Sequence, residues 1–303
     1  MAHKSAFISL VGRPNTGKST LLNALVGEKI AITSHHPNTT RHAIRGILTR
    51  SDSQLIFVDT PGLHKPRTPL GGALNQVVSE NIESVDLILQ CLPADEEIGS
   101  GDAYIARIIA GQPRAKKFAV VTKADKIDRA KLPAQLLAVQ ELAKGAGFTW
   151  DEIIPISARL GEQIPLLVDL LTKYAPEGPA FYPEEMRSDQ ELESEIAELI
   201  REAAIADLSE ELPHSLAVVV EDMSTRAEKE IVDIHASIIL ERDSQKGIVI
   251  GAKGERLKRI GSKVRPAIES KLGKQVFLAL NVKVIPNWQR DPKALAKLGF
   301  TQR

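Results

Sequence analysis

The chain has 303 residues, enough for about two domains, and its 43% hydrophobic and 26% charged residues are an ordinary globular composition. Its single cysteine, Cys91, excludes a disulfide framework within the chain and leads us to expect a reducing, cytoplasmic setting. No apolar segment approaches about 18 residues, which excludes a transmembrane helix but leaves peripheral contact with the inner face of the cell membrane open.

The net charge of zero conceals an uneven distribution. From His214 to Arg303 there are 17 Lys/Arg against 10 Asp/Glu, so this part carries +7 and residues 1–213 carry −7. Most of the excess lies in Lys246–Lys274, where nine basic residues accompany only two glutamates. A basic second half indicates a polyanionic partner, and a solvated helix face is the alternative.

The first element is an apolar run, residues 6–11, followed by Gly12–Thr20, which matches the phosphate-binding pattern G-x-x-x-x-G-K-[ST] in full. Helix-period apolar residues come next, so the loop lies between a buried strand and a helix. Backbone N–H groups at that helix start favour a phosphate. We expect Lys18 to reach the β/γ-phosphates and Ser19 to ligate Mg²⁺. The predicted phosphate-binding residues are Asn15, Thr16, Gly17, Lys18, Ser19, Thr20 and Gly62.

Two further segments are predicted to sense the γ-phosphate. Thr39, Thr40 and Arg41 lie in a polar stretch with turn chemistry. The strand Gln54–Val58 ends in Asp59-Thr60-Pro61-Gly62, which places a carboxylate at the ligand-binding edge of a parallel sheet. Ser19, Thr40 and Asp59 are therefore the predicted Mg²⁺ ligands. The predicted switch residues are Thr39, Thr40, Arg41, Asp59, Thr60, Pro61, Gly62 and Leu63.

Strand and helix patterns then alternate from Asp86 to Tyr174, which predicts a mainly parallel, doubly wound α/β sheet. One strand ends in Thr122-Lys123-Ala124-Asp125 and the next in Ser157-Ala158-Arg159. A carboxylate at Asp125 can accept from the N1–H and the exocyclic amine of guanine, a donor pair that adenine lacks. The predicted guanine-binding residues are Thr122, Lys123, Asp125, Ser157 and Ala158.

Prolines and glycines in 175–188 break the helical pattern and predict a linker between a nucleotide-binding domain, 1–174, and a second domain, 189–303. The spacing of apolar residues in the second domain predicts the order helix, strand, strand, helix, helix, strand. Gly251-x-x-Gly254 between two helices lets backbone approach a sugar-phosphate chain, and Ile248, Val249 and Ile250 are expected to wall a groove for bases. The predicted RNA-binding residues are Ile250, Gly251, Ala252, Lys253, Gly254, Arg256, Lys258 and Arg259.

In this order and spacing, the phosphate loop, Thr39-Thr40-Arg41, Asp59–Gly62, Thr122–Asp125 and Ser157–Arg159 resemble the bacterial Era GTPases. The second domain resembles a type II KH domain, and Trp288 with the segment after it resembles the family's C-terminus. The resemblance implies GTP and GDP as ligands, and binding of the small ribosomal subunit through its RNA near the 3′ end. We expect Trp288 to pack in a core rather than to stack on a base.

Three residues bear on how the family pattern works in this chain. The family's base motif begins with Asn where this chain has Thr122, and we expect weaker guanine affinity with preference over adenine retained by Asp125. Leu63 replaces the glutamine that orients water in Ras-like enzymes, so intrinsic hydrolysis should be slow. Asn15 resembles the residue that binds a monovalent cation in potassium-activated relatives. K⁺ binding and simple bracing of the loop are the two interpretations of Asn15.

The sequence thus predicts a GTP-hydrolysing switch that binds ribosomal RNA and acts in ribosome assembly. One alternative is a nucleotide-gated binding module with negligible turnover, which Leu63 and Thr122 would suit. Another is a GTPase that acts at a membrane surface through its basic face.

Overall fold

The structure is a computed structural model that describes residues 2–33, 40, 43–63, 69–206, 215–226 and 230–298. The chain forms two compact units, with the border between Asp189 and Gln190. Of the predicted switch residues, Thr39 and Arg41 lie outside the described residues.

The first unit is a six-stranded sheet with helices on its faces. Its elements are β1 Lys4–Val11, α1 Lys18–Val26, β2 Ile44–Thr49, β3 Ser53–Asp59, α2 Pro69–Glu83, β4 Leu87–Pro93, α3 Ser100–Ala110, β5 Lys116–Thr122, α4 Leu132–Gly145, β6 Glu152–Pro155 and α5 Ile164–Tyr174. The strand order is β2-β3-β1-β4-β5-β6, and only the edge strand β2 runs antiparallel to its neighbour. The parallel strands therefore present their carboxyl ends at one edge, where ligands bind in open α/β sheets.

The sequence of the central strands explains why they form the middle of the sheet. β3 and β4 are buried at every position, as expected for strands covered by helices on both faces. β1 contributes Ala6, Ile8 and Leu10 to the core on one face, which packs against α1 and α5. Val11 belongs to the core on the other face, together with Leu63 and residues of α2 and α3. Strand ends held this firmly provide a rigid base for the loops that follow them.

The second unit is a three-stranded sheet covered by helices. Its elements are α6 Leu192–Ala206, β7 Ala217–Arg226, β8 Ile231–Leu240, α7 Asp243–Ile250, α8 Glu255–Leu272, β9 Gln275–Val284 and α9 Pro292–Lys297. The strand order is β7-β8-β9, with β7–β8 antiparallel and β8–β9 parallel. Alternate residues of β8, including Ile234, Ala236 and Ile238, pack under α6 and α8. Trp288 is fully buried and its Nε1 donates to the carbonyl of Ser215 at 3.1 Å, which confirms its predicted place in a core.

The stretch 175–189 between α5 and α6 is hydrogen-bonded to the first unit. The N–H of Ser5 donates to the carbonyl of Pro176, and the N–H of Ile47 in β2 donates to that of Arg187. The buried side chain of Gln54 accepts from two backbone N–H groups, those of Phe181 and Tyr182. This stretch is therefore fixed along one edge of the first unit.

The predicted fold class is confirmed for both units, including the order of elements in the second. The helix α2 was not predicted. The apolar part of β7 predicts a strand that ends at Glu221, whereas β7 continues to Arg226. The pairing of β7 shifts in register between Val220 and Asp222, and the residues beyond are mostly polar. The alternation of apolar and polar residues therefore does not reveal that the strand continues. Within the described residues, no helix is both long enough and apolar enough to cross a bilayer.

Candidate functional site

A cavity of about 380 Å³ opens at the carboxyl edge of the first unit's sheet. It is bounded by the loop between β1 and α1, the ends of β3, β5 and β6, and the segment before β2. Most of the predicted nucleotide-binding residues line it. These are Asn15, Gly17, Lys18, Ser19, Thr20, Thr40, Gly62, Thr122, Lys123, Asp125 and Ala158. The structure thus brings the predicted phosphate, metal and base residues to one place.

The phosphate loop adopts a wrapped conformation that needs left-handed residues. Gly17 has φ 92°, which favours glycine, and Asn15 has φ 64°, a value that asparagine tolerates. Lys18 is buried, and its Nζ donates to the carbonyls of Gly12 and Arg13 at 3.1 and 2.8 Å. Thr16 is also buried and bonds the carbonyl of Arg13, so this predicted phosphate ligand supports the loop through its side chain. The lysine is therefore already held inside the loop.

The segment after β3 lies directly against the phosphate loop. A Cβ at Gly62 would come within 2.9 Å of Pro14 backbone and ring atoms, so only glycine allows this approach. The N–H of Leu63 donates to the carbonyl of Gly12. The Leu63 side chain is buried in the core beside α2 and α3, and the Thr60 hydroxyl bonds the carbonyl of Leu10. Neither side chain is placed to orient a water molecule in the cavity.

Three oxygen-bearing side chains converge where Mg²⁺ was predicted. Ser19 Oγ lies 2.7 Å from Asp59 Oδ2 and 2.9 Å from Thr40 Oγ1, and Thr40 Oγ1 lies 3.2 Å from the same carboxylate oxygen. The other carboxylate oxygen, Asp59 Oδ1, is buried and has no hydrogen-bond partner among the residues that the structure describes. Mg²⁺ is usually held by one or two carboxylates together with hydroxyl, water and phosphate oxygens. These residues fit that ion.

Burial shapes the ionisation of the two charged groups at this point. Burial raises the pKa of Asp59, against the opposing effects of the Lys18 charge and of the Ser19 and Thr40 hydroxyls. Burial lowers the pKa of Lys18, against the opposing charge of Asp59. Each group is thus desolvated and depends on opposite charge nearby, which a phosphate and its cation would supply.

The base side of the cavity is built from the ends of β5 and β6. Thr122 Oγ1 donates to the carbonyl of Thr16 at 2.6 Å, so the residue that departs from the family pattern holds the phosphate loop. Lys123 has φ 56° and begins the short helical turn that carries the exposed Asp125. Ser157 is buried and does not line the cavity. Its hydroxyl instead accepts from the N–H of Leu160, which shapes the turn that presents Ala158.

Several lining residues were not predicted as site residues. Ile32 and Thr33 come from a stretch without any motif, so the sequence gives no signal for them. Pro14 lies inside the phosphate motif, Arg159 is the last residue of the Ser157-Ala158-Arg159 motif, and Lys126 directly follows Asp125. Their position in or beside these motifs was the available signal. The full set is Pro14, Ile32, Thr33, Lys126 and Arg159.

The second unit carries the predicted glycine loop between α7 and α8. Gly251 has φ 74° and ψ 176°, and a Cβ there would come within 2.9 Å of Arg256, so this position requires glycine. Lys253 and Gly254 also have left-handed φ values, 50° and 81°. Arg256 Nη1 donates to the carbonyl of Ile248 across the loop. The loop is therefore preformed, with the exposed Lys253 at its tip.

A basic face accompanies this loop. In α8 the buried residues are Ile260, Gly261, Val264 and Ile268, while Lys258, Arg259, Lys263 and Arg265 lie on the other side. The predicted base groove needs one correction. Val249 is fully buried in the core, whereas Ile248 is 47% exposed, because consecutive helical residues point about 100° apart. Ile248 and the half-buried Ile250 remain available to a ligand, and Val249 does not.

Comparisons with known proteins agree with this architecture. Residues 7–123 match the family model described as 50S ribosome-binding GTPase, and residues 211–289 match the KH domain model. The GTPase Era of Streptomyces coelicolor is 55% identical over 302 residues, covering 98% of this chain and 95% of that protein. The GTPase Era of Mycolicibacterium smegmatis is 53% identical over 299 residues, covering 98% and 99%.

Two solved structures cover almost the whole chain with a TM-score of 0.93. One is a crystal structure of Era in complex with MgGDPNP and nucleotides 1506–1542 of 16S ribosomal RNA, 36% identical and covering 99% of both chains. The other is a single-residue variant of Aquifex aeolicus Era bound to GDP·AlF4⁻, 34% identical and covering 98% of this chain and 99% of that one. Because relatives above 50% identity cover almost its whole length, this chain belongs to the Era family of GTPases.

Proposed function

We propose that this chain is a GTP-hydrolysing switch, with an N-terminal nucleotide domain (1–174), a linker (175–188) and an RNA-binding domain (189–303). It binds small-subunit ribosomal RNA near its 3′ end and acts in ribosome assembly in the cytoplasm. The observation that carries the proposal is the joint presence, in one chain, of the oxygen cluster beside the phosphate loop and the preformed glycine loop on a basic face.

The nucleotide half follows from what the cavity residues can do. The loop N–H groups and Lys18 would hold the β- and γ-phosphates, and Asp125 would select guanine over adenine. Ser19, Thr40 and Asp59 would hold Mg²⁺, which supplies charge neutralisation at the phosphate oxygens when bound. Because Thr40 and Gly62 both line the cavity beside the phosphate loop, a γ-phosphate would draw their two segments together, and its loss would release them.

Hydrolysis is expected to be slow without help. Leu63 packs in the core, so the residue directly after Gly62 does not take the place of a water-positioning glutamine. We propose that K⁺ held near Asn15, whose left-handed backbone lines the cavity, supplies the positive charge that an arginine finger would give. Single-turnover hydrolysis in matched potassium and sodium buffers tests this; equal rates would reduce Asn15 to a brace of the loop.

The RNA half rests on the glycine loop and its charge. Gly251 and Gly254 let a sugar-phosphate backbone approach, and Lys253, Lys258 and Arg259 supply positive charge beside it. The full-length structural relative that was solved with nucleotides 1506–1542 of 16S ribosomal RNA supports this RNA as the ligand. It is a more specific guide than the 50S description, which belongs to a model that matches the GTPase portion alone.

The test is binding of labelled GTP and GDP, challenged separately with ATP and with a short 3′-end 16S RNA oligonucleotide. Guanine preference with RNA-strengthened GTP binding is expected. Guanine preference without RNA coupling would leave a GTPase whose basic domain needs another partner. Loss of guanine preference would show that Thr122 has undone the base site.

A second candidate is a nucleotide-gated binding module that barely turns over, which the buried Leu63 favours. Single-turnover hydrolysis with and without the RNA oligonucleotide separates a GTPase from a binding module, because a binding module hydrolyses no GTP under either condition. Sedimentation with anionic vesicles, in competition with RNA, reports whether the basic face prefers a membrane surface.

A further inference from the structure

An acidic segment after β4 contacts both halves of the nucleotide cavity. Glu96 Oε2 lies 3.0 Å from Nη2 of Arg13 in the phosphate loop. Its other oxygen, Oε1, lies 3.3 Å from Nζ of Lys123 in the base segment. Asp95 adds ion pairs to Lys123 at 3.7 Å and to Lys126 at 3.2 Å. One carboxylate thus connects the loop that holds phosphate to the segment that holds the base.

The strand order explains why this position can reach both. β4 lies between β1 and β5 in the sheet, and all three strands are parallel. The loops after β1, β4 and β5 therefore leave the same edge side by side. A side chain on the middle loop is within reach of both neighbours, which carry the phosphate loop and the base segment.

Arg13, one of the two partners of Glu96, is also held by a second carboxylate. Asp102, fully buried at the start of α3, accepts from Arg13 Nε at 2.8 Å and from the N–H of Gly99 at 2.9 Å. A Cβ at Gly101 would come within 2.7 Å of the Arg13 side chain, so the helix start leaves room for the guanidinium. Arg13 is consequently fixed between two carboxylates rather than spread on the surface.

We propose that Glu96 is a positioning residue for nucleotide binding, which holds Arg13 and Lys123 so that the phosphate loop and the base segment keep their spacing. The inference rests on the nucleotide binding proposed above. A positioning role and a simple charge effect predict opposite changes in nucleotide affinity when the carboxylate is removed. A carboxylate near an anionic ligand repels it, so loss of the charge alone would tighten nucleotide binding. Loss of a positioning carboxylate weakens it.

The experiment measures the affinity and release rate of fluorescent mant-GDP for the full chain and for E96Q and E97Q. Glu97 is the matched control, because it carries the same charge one residue away and, within the described part of the chain, makes no side-chain hydrogen bond or ion pair. Partly exposed ion pairs contribute modestly, so E96Q should bind mant-GDP about two- to tenfold more weakly. E97Q should bind equally or slightly more tightly.

Salt provides a second readout that a general loss of structure would not give. The wild-type and E96Q affinities should converge as KCl rises, because screening removes the ion pairs from the wild type. Thermal melting checks that both variants are folded. If E96Q binds like E97Q, Glu96 has no positioning role. If the wild-type chain itself fails to bind mant-GDP, the proposed function fails instead.

Discussion

Among single residues, Thr122 departs from the family pattern but still contacts the phosphate loop. Its hydroxyl bonds the Thr16 carbonyl, and in a trans peptide the N–H of Gly17 then points the opposite way. The hydroxyl therefore helps to orient the N–H of Gly17, a residue that lines the nucleotide cavity. Because the methyl and hydroxyl of threonine are shorter than the amide of asparagine, we expect contact with the base to be the part that is lost.

We predict that T122V weakens GDP binding roughly tenfold, because the buried Thr16 carbonyl loses its donor while side-chain shape is kept. T122S retains the hydroxyl and should bind within about twofold of wild type by the same reasoning. The ratio of GDP to inosine diphosphate affinity should not change in either variant, since Asp125 reads the exocyclic amine. Titration with the fluorescent nucleotides measures both quantities. A changed ratio in T122V would mean that Thr122 contacts the base after all.

Cys91 is predicted to be unreactive in the native protein. It lies in the middle of β4, and burial raises the pKa of its thiol to about 12. Because thiolate is the reactive form, the native protein should not react with Ellman's reagent at a mildly alkaline pH over hours. Reaction should be complete within minutes in guanidinium chloride. Rapid labelling of the native chain would show that β4 is not buried in solution.

At the scale of elements, the sequence predicts best those elements whose chemistry is local. The phosphate loop and the Gly251–Gly254 loop have left-handed backbone, and that requirement is visible as glycine. The central strands are visible as short apolar runs. The site residues Ile32 and Thr33 are not visible, because tertiary packing alone brings them to the cavity.

Other features depend on contacts that a pattern cannot contain. The stretch 175–189 has the composition of a linker, yet Gln54, distant in sequence, holds it with hydrogen bonds. Val249 was misplaced because one apolar run was assigned to a single surface, whereas helical geometry divides it between core and solvent. The sequence therefore does not determine which distant residues are hydrogen-bonded, or which residues of a helix face the core.

The Gly251–Gly254 loop is predicted to need glycine at position 251 for RNA binding. G251A should reduce binding of the 3′-end RNA oligonucleotide more than about tenfold, because the added Cβ would collide with Arg256 at a backbone angle that only glycine adopts. G247A is the matched control. Its Cβ would meet nothing within 4 Å, and alanine favours the helix, so RNA binding should persist and thermal stability should rise slightly. Equal RNA binding by the two variants would remove the loop from the interface.

In the whole molecule, one unit has a glycine-rich loop at its nucleotide cavity, and the other has a glycine-rich loop on a basic helix face. Both loops have left-handed residues that define their shape. We propose that the nucleotide controls RNA binding through the free energy of coupling between the two ligands. The segments proposed to respond to the γ-phosphate contain Thr40 and Gly62. β2, which follows the first of them, bonds the stretch 175–189.

Coupling between nucleotide binding and RNA binding is constrained by thermodynamics. If GTP raises RNA affinity over GDP by some factor, RNA must raise the GTP-to-GDP affinity ratio by the same factor. We expect a factor of about 5 to 150, which is typical of allosteric coupling. Calorimetric or fluorescence titrations in both directions, with a non-hydrolysable GTP analogue, measure it. G251A should abolish the effect of RNA on GTP affinity while GTP binding without RNA stays unchanged, because Gly251 lies in the second unit. Identical RNA affinity in the GTP and GDP states would show that nucleotide does not control RNA binding, and the chain would then be a GTPase with an independent RNA-binding unit.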